Sequence, residues 1–140
     1  MKTTTKQLIA LTLALLCIVS IFSCGKENTD PWKTAVYTED TTLGEGETTV
    51  KVIVKAGDKS VTFTLNTDKK TVKDALMEHN LLAGDEGEYG LYVKNVNGIT
   101  ADYNKDQFYW ALYINGEYAM TGVDSTEISA DTVYTLERTK

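Results

Sequence analysis

Few residues in this chain could do chemistry, and their types narrow the field at once. Among its 140 residues stand one histidine and two cysteines. Neither a disulfide framework nor a Cys/His zinc cluster can be assembled from so few. His79 could in principle ligate a metal, but a lone histidine near a helix end more often packs or caps. Two loops carry closely spaced oxygen ligands of the kind hard cations prefer. One holds Asp85, Glu86 and Glu88, and the other holds Asp102, Asn104 and Asp106. Neither follows the EF-hand loop pattern, so solvated loop charge is the simpler reading and no metal site is assigned. There is no nucleophile elbow, no HExxH and no glycine-rich phosphate loop. The chain reads as a non-enzyme that requires no cofactor.

The residues better suited to recognition are aromatic. Tyr109, Trp110 and Tyr113 fall within one apolar run, and Tyr118, Met120, Gly122 and Val123 follow closely. Consecutive residues of a strand point to opposite faces. Trp110 therefore belongs to the core, while Tyr109 and Tyr113, with Tyr92, share the opposite face. They form either an aromatic platform or an ordinary tyrosine ladder. Asn115, Gly116 and Gly122 read first as turn residues.

The charge balance, fourteen Lys/Arg against twenty Asp/Glu, gives a net −6. This argues against nucleic acid, whose binding depends on neutralising phosphates. At the amino end Lys2 and Lys6 precede a charge-free stretch from Gln7 to Ser23 with the apolar core Leu8–Phe22. That core is shorter than the roughly 20 residues of a membrane span. A basic start, a short apolar core and a small residue before a break is the order of an export signal. Ile21-Phe22-Ser23-Cys24 resembles a bacterial lipobox. The expected organisation is a signal peptide over 1–23, lipidation at Cys24 and attachment to the outer face of a bacterial cell-envelope membrane. A simple secretory signal or an uncleaved anchor is the alternative. Cleavage there would remove Cys17 and leave no free thiol. Residues 24–47 are polar, acidic and Thr-rich, and read as a tether. Within them Trp32, Val36 and Tyr37 either dock on the domain or lie in the lipid interface.

The elements that must position the aromatic residues follow from periodicity. Val50, Val52 and Val54 alternate with lysines. Val61, Phe63 and Leu65 do so with threonines, across a Gly57-Asp58 turn, which predicts a hairpin. Thr71 caps a helix predicted over Thr71–Asn80, with Val72, Ala75, Leu76 and His79 on one face. Leu81 and Leu82 tuck into the core before Gly84 breaks the chain, and Asp85–Tyr89 is a loop. Strands are predicted at Gly90–Val96, Phe108–Ile114, Glu117–Met120 and Thr132–Glu137, with Asn97-Gly98 and Asn115-Gly116 as turns. The fold class is α+β, a mixed sheet with one helix packed across a face.

The ordered set Tyr89-Gly90-Leu91-Tyr92-Val93, Val96-Asn97-Gly98-Ile99, Tyr109-Trp110, Asn115-Gly116-Glu117 and Gly122-Val123 resembles the transcobalamin-like C-terminal domain family. The resemblance runs over about 48–140. It implies a β-grasp-like, ligand-binding module, with cobalamin or a related corrinoid as candidate ligand. It also implies a site at Tyr109, Trp110, Tyr113, Tyr118, Met120, Gly122 and Val123. In the animal carriers a helical domain covers the other side of the corrinoid, and this chain has no counterpart of it. Ala130-Asp131 stands where relatives often carry Gly-Asp. A small ligand captured for an importer is the leading expectation. A surface protein-interaction module without a small ligand and a divalent-metal-binding lipoprotein are the alternatives.

Overall fold

The computed structural model describes residues 29–140. The expected signal peptide and Cys24 lie outside the described residues. The hairpin forms as predicted. Strands β2 (Thr48–Ala56) and β3 (Lys59–Thr67) pair in register from Thr48↔Thr67 to Ala56↔Lys59, around a turn in which Gly57 has φ +60°. Val50, Val52 and Val54 face Leu65, Phe63 and Val61 on the inner side, and all six are buried.

Helix α1 (Val72–Met77) is capped by Thr71, whose hydroxyl accepts from the Asp74 N–H at 3.2 Å. Its end is a Schellman closure. Asn80 takes φ 56°, the Asn80 N–H reaches Met77 O at 3.1 Å, and the Leu81 N–H reaches Leu76 O at 2.9 Å. Leu81 and Leu76 are both fully buried, as this motif requires. Val72, Ala75 and Leu76 form the buried face.

The second layer is a small sheet of β4 (Leu82–Gly87), β5 (Gly90–Val96) and β6 (Ile99–Thr100). Here the loop expected at Asp85–Tyr89 proves to be strand as far as Gly87, with only Glu88 and Tyr89 turning. Gly84 does not break the chain. It sits at a register shift against β5, where a Cβ would collide with the Tyr92 carbonyl. A glycine thus marks close strand contact rather than a loop. A second short helix, α2 (Tyr103–Asp106), stands where a loop was expected around Asp102, Asn104 and Asp106, and is capped by Asp102.

The main sheet is completed by β7 (Tyr109–Ile114), β8 (Glu117–Tyr118) and β9 (Val133–Thr139). With β1 (Thr41–Leu43) at one edge, its order is β1-β3-β2-β9-β7-β8, with β2 and β9 parallel at the centre. β8 is shorter than the predicted Glu117–Met120. Asn115 and Gly116, at φ 48° and 84°, make the expected tight turn. Gly122 does not adopt a positive φ, so its expected conformational role is corrected.

The tether reading is corrected for the described part of 24–47. Residues Pro31–Thr34 form a 3-10 helix, and Trp32 is buried with its Nε1 donating to Ala56 O at 2.8 Å. Asn97, fully buried, grips the strap from the other side. Its Oδ1 accepts from the Tyr37 N–H, its Nδ2 donates to Tyr37 O, and its carbonyl accepts from the Val36 N–H, each at 2.9 Å. Strand β1 (Thr41–Leu43) then joins β3 in parallel. The folded unit therefore includes residues from Asp30 onward, well before Thr48. Composition concealed this because the strap is held by main-chain groups and a few apolar side chains. Among the described residues no helix is long and apolar enough to cross a membrane.

Candidate ligand-binding cleft

β7 positions the aromatic residues. It pairs with β9 along its whole length, from Tyr109↔Thr139 to Ile114↔Tyr134. With β8 it pairs only at Tyr113↔Tyr118 and Ile114↔Glu117, followed by one bond from the Ala119 N–H to Leu112 O at 2.8 Å. Past that point the chain leaves β7, and a cleft of about 360 Å³ opens. Leu91, Tyr92 and Val93 of β5 form one wall. Tyr109–Leu112 form the other, and the segment Tyr118–Val123 borders it. No charged side chain lines the cleft. Its size is at the lower end for small-molecule sites, and its apolar lining is typical of them.

The bordering segment is fixed from below by the start of α1. The Val72 and Lys73 N–H groups, which have no partner inside the helix, donate to Thr126 O and Val123 O at 3.0 Å. The Thr126 hydroxyl donates to Gly122 O at 2.8 Å. The Asp124 carboxylate accepts from the Leu91 N–H at 2.9 Å, tying the segment to β5. A Cβ on Gly90 would crowd that carboxylate, and its φ of 106° is one that L side chains rarely adopt, so glycine suits this position.

Six of the seven expected site residues, Tyr109, Trp110, Tyr118, Met120, Gly122 and Val123, line this one cleft. Tyr113 does not; its ring stands nearly perpendicular to that of Tyr118, with centroids 5.6 Å apart. The expected common platform of Tyr92, Tyr109 and Tyr113 is thereby corrected. Tyr92 arrives from the other sheet, and only Tyr92 and Tyr109 reach the cleft. Trp110 is 8% exposed and serves both core and cleft, its Nε1 buried without a partner. Met120 is 94% exposed on the rim. Leu91, Val93 and Asp124 were not expected as site residues. The pairing of a glycine at 90 with an aspartate at 124 is tertiary, and no local pattern announces it.

The acidic loops are occupied by the protein's own cations. Asp85 meets Lys94 and Glu86 meets Lys73, each at 2.6 Å. These bonds hold both lysines above their ordinary pKa. Asp102 caps α2 and lies 3.7 Å from Lys94, while Asp106 meets Arg138 at 3.2 Å. His79 lies near Gly44, its Nε2 buried without a hydrogen-bond partner and 3.9 Å from the Glu78 carboxylate. Among the described residues no group of three His, Cys, Asp or Glu side chains could hold a metal ion.

Against known proteins, the family model described as "Domain of unknown function (DUF4430)" matches residues 69–137. That span runs from just before α1 into β9 and includes the entire cleft. No match was found among curated proteins. A crystal structure described as "a putative metal binding protein from Ruminococcus gnavus ATCC 29149" is similar at 34% identity with a TM-score of 0.63. It covers 67% of this chain and 98% of its own. Haptocorrin, solved "in Complex with Cbi", superposes with a TM-score of 0.51 at 19% identity, over 66% of this chain and 25% of haptocorrin. That second likeness establishes fold, and the chain spans about a quarter of haptocorrin's length. By its similarity along nearly the whole Ruminococcus structure, the chain belongs to the same family as that protein; its residues 69–137 match the DUF4430 model, and its fold is transcobalamin-like α+β.

Proposed function

We propose that this protein is a binding module whose cleft captures a small, flat, largely apolar ligand, of which a corrinoid is the leading candidate. The observation that carries the reading is the convergence of Tyr109, Trp110, Tyr118 and Met120 with β5 on one uncharged cleft. Aromatic faces and apolar walls favour flat ligands through burial and ring contact. Haptocorrin's complex with Cbi supports a ligand of this kind on this fold. The cleft offers no carboxylate, imidazole, amine or thiol, so the protein is read as a carrier rather than an enzyme. The export-signal pattern of residues 1–23 and the lipobox-like run ending at Cys24 support a lipid-anchored place outside the cytoplasm, where captured ligand would pass to an importer or another surface protein.

Metal binding is the second reading, favoured by the description of the Ruminococcus protein. The engagement of Asp85, Glu86 and Asp106 by lysines and arginine weighs against it here. Residues 25–140 titrated with cobalamin, cobinamide and divalent cations, followed by tryptophan fluorescence and calorimetry, separate the two. Saturable corrinoid binding should weaken about tenfold or more, a loss of about 1.4 kcal/mol, when Tyr109, Tyr118 and Met120 are together replaced by alanine. Corrinoid binding that survives the triple substitution puts the site elsewhere. Saturable binding of a divalent ion alone supports the second reading.

A further inference from the structure

The sequence holds two Asn-Gly pairs, Asn97-Gly98 and Asn115-Gly116, and the fold treats them in opposite ways. Asparagine before glycine is prone to intramolecular attack, because glycine has no Cβ to keep its nitrogen from the preceding carboxamide carbon. Both asparagines sit in tight turns at positive φ, 52° for Asn97 and 48° for Asn115. Asn97 is fully buried. Its carboxamide is bonded at both ends to Tyr37, and its N–H to Leu81 O, each at 2.9 Å. The Gly98 nitrogen donates to Asn95 Oδ1 at 3.1 Å, and Thr34 O stands where a Cβ on Gly98 would point. Asn115 is exposed. Its Oδ1 accepts from the Val133 N–H at 3.0 Å. Its Nδ2 and the Gly116 N–H have no hydrogen-bond partner among the described residues. A Cβ on Gly116 would meet nothing within 4 Å.

We infer that Asn115 is a site of spontaneous deamidation and isoaspartate formation, and that the strap shields Asn97 from the same chemistry. The Gly116 nitrogen attacks Asn115 Cγ, a new C–N bond forms, and Nδ2 leaves as ammonia with the proton the attacking nitrogen gives up. The product is a cyclic imide, which water then opens. Breaking the new bond leaves aspartate. Breaking the original peptide bond leaves isoaspartate, with the main chain running through Cγ. Asn115 is held toward β9 by its two bonds to Val133, so the turn must open for the attack. Local opening is easiest where few buried contacts are lost. Here it releases those two bonds and the end of a hairpin that pairs only at Tyr113↔Tyr118 and Ile114↔Glu117. At Asn97 it must break a fully buried clamp. Aspartate keeps the acceptor that meets Val133. Isoaspartate lengthens the main chain of a two-residue turn, and the turn fixes the hairpin register. The change therefore falls on β8 and on Tyr118 at the border of the cleft, whatever the cleft binds.

The test holds residues 25–140, which contain every element of the described fold, at mildly alkaline pH and samples them over weeks. Trypsin places the two pairs on different peptides, Asn95–Lys105 and Asp106–Arg138. Mass spectrometry of each peptide reads the replacement of amide by carboxyl, and electron-transfer fragmentation tells isoaspartate from aspartate. In the folded protein Asn115 should react at least about tenfold faster than Asn97. The residues before the two asparagines, Val96 and Ile114, are alike in shape. In urea beyond the unfolding transition the two rates should therefore agree within about threefold. The isoaspartyl protein, separated by chromatography, is then compared with Asn115→Asp by NMR hydrogen exchange. The Ala119 amide, bonded to Leu112 O beyond the turn, should exchange about tenfold faster in the isoaspartyl form and as in the parent in Asn115→Asp. The inference falls if Asn97 reacts as fast as Asn115 in the folded protein. It falls equally if the difference persists in urea, because local sequence rather than the fold would then be its cause. Unchanged exchange at Ala119 in the isoaspartyl form overturns the effect on β8.

Discussion

Asn97 offers the sharpest test of the strap that fastens residues before β1 to the domain. The side chain is fully buried and makes two hydrogen bonds, both at 2.9 Å, to the N–H and C=O of Tyr37. Its own backbone sits at φ 52°. Asn97→Ala removes both bonds and places a Cβ residue without a local polar contact in the left-handed region. An unsatisfied buried polar group costs about 1–3 kcal/mol, and Tyr37 is only partly buried, so the two lost bonds together are worth about 2 kcal/mol. The left-handed backbone adds about 1 kcal/mol for alanine. Asn97→Gly loses the same bonds and is at ease at that φ. The expected losses are therefore about 3 kcal/mol for alanine and about 2 kcal/mol for glycine. Urea denaturation gives the totals, and limited proteolysis near residues 35–40 shows whether the strap is released. Equal losses in the two variants would refute the backbone argument. A loss below about 0.5 kcal/mol, the range of ordinary surface changes, would refute the clamp itself.

Leu76→Ala should cost about 2–5 kcal/mol, because the side chain is fully buried and closes the helix end against Leu81; equilibrium unfolding measures it. The ion pairs of Lys73 and Lys94 predict an alkaline limit. Both pKa values are raised on folding, so their contribution is complete below the ordinary lysine value and is lost as pH rises through the raised one. The unfolding midpoint should be flat near neutrality and fall above about pH 10.5, and Lys73→Met with Lys94→Met should flatten that fall. If the double variant keeps the same alkaline profile, the pairs are not its cause. Cys24→Ser should abolish lipid attachment, seen as failure to incorporate labelled fatty acid; unchanged incorporation would remove Cys24 from the anchoring proposal.

Local pattern alone determined the hairpin, α1 and the alternating faces of β7. Alternation of Val50, Val52 and Val54 has one solution with a buried face, and Thr71 with Val72, Ala75 and Leu76 has another. Asn115-Gly116 needs positive φ at both positions and forms the tight turn wherever it lies. The grouping of Tyr109, Trp110, Tyr118, Met120, Gly122 and Val123 was expected from the family resemblance, and the β7–β8 hairpin brings these sequence neighbours together in space. The tertiary structure decided what lies opposite them. Leu91 and Val93 come from another sheet, and Tyr113 is excluded because β8 ends at Tyr118. It also decided that residues 30–43 are not a tether. The Asn97 side chain lies sixty residues from Tyr37 along the chain, and composition carries no trace of such a bond. A hydrogen bond between distant segments depends on where the whole chain brings them, whereas periodicity reports only which side of its own element each residue occupies.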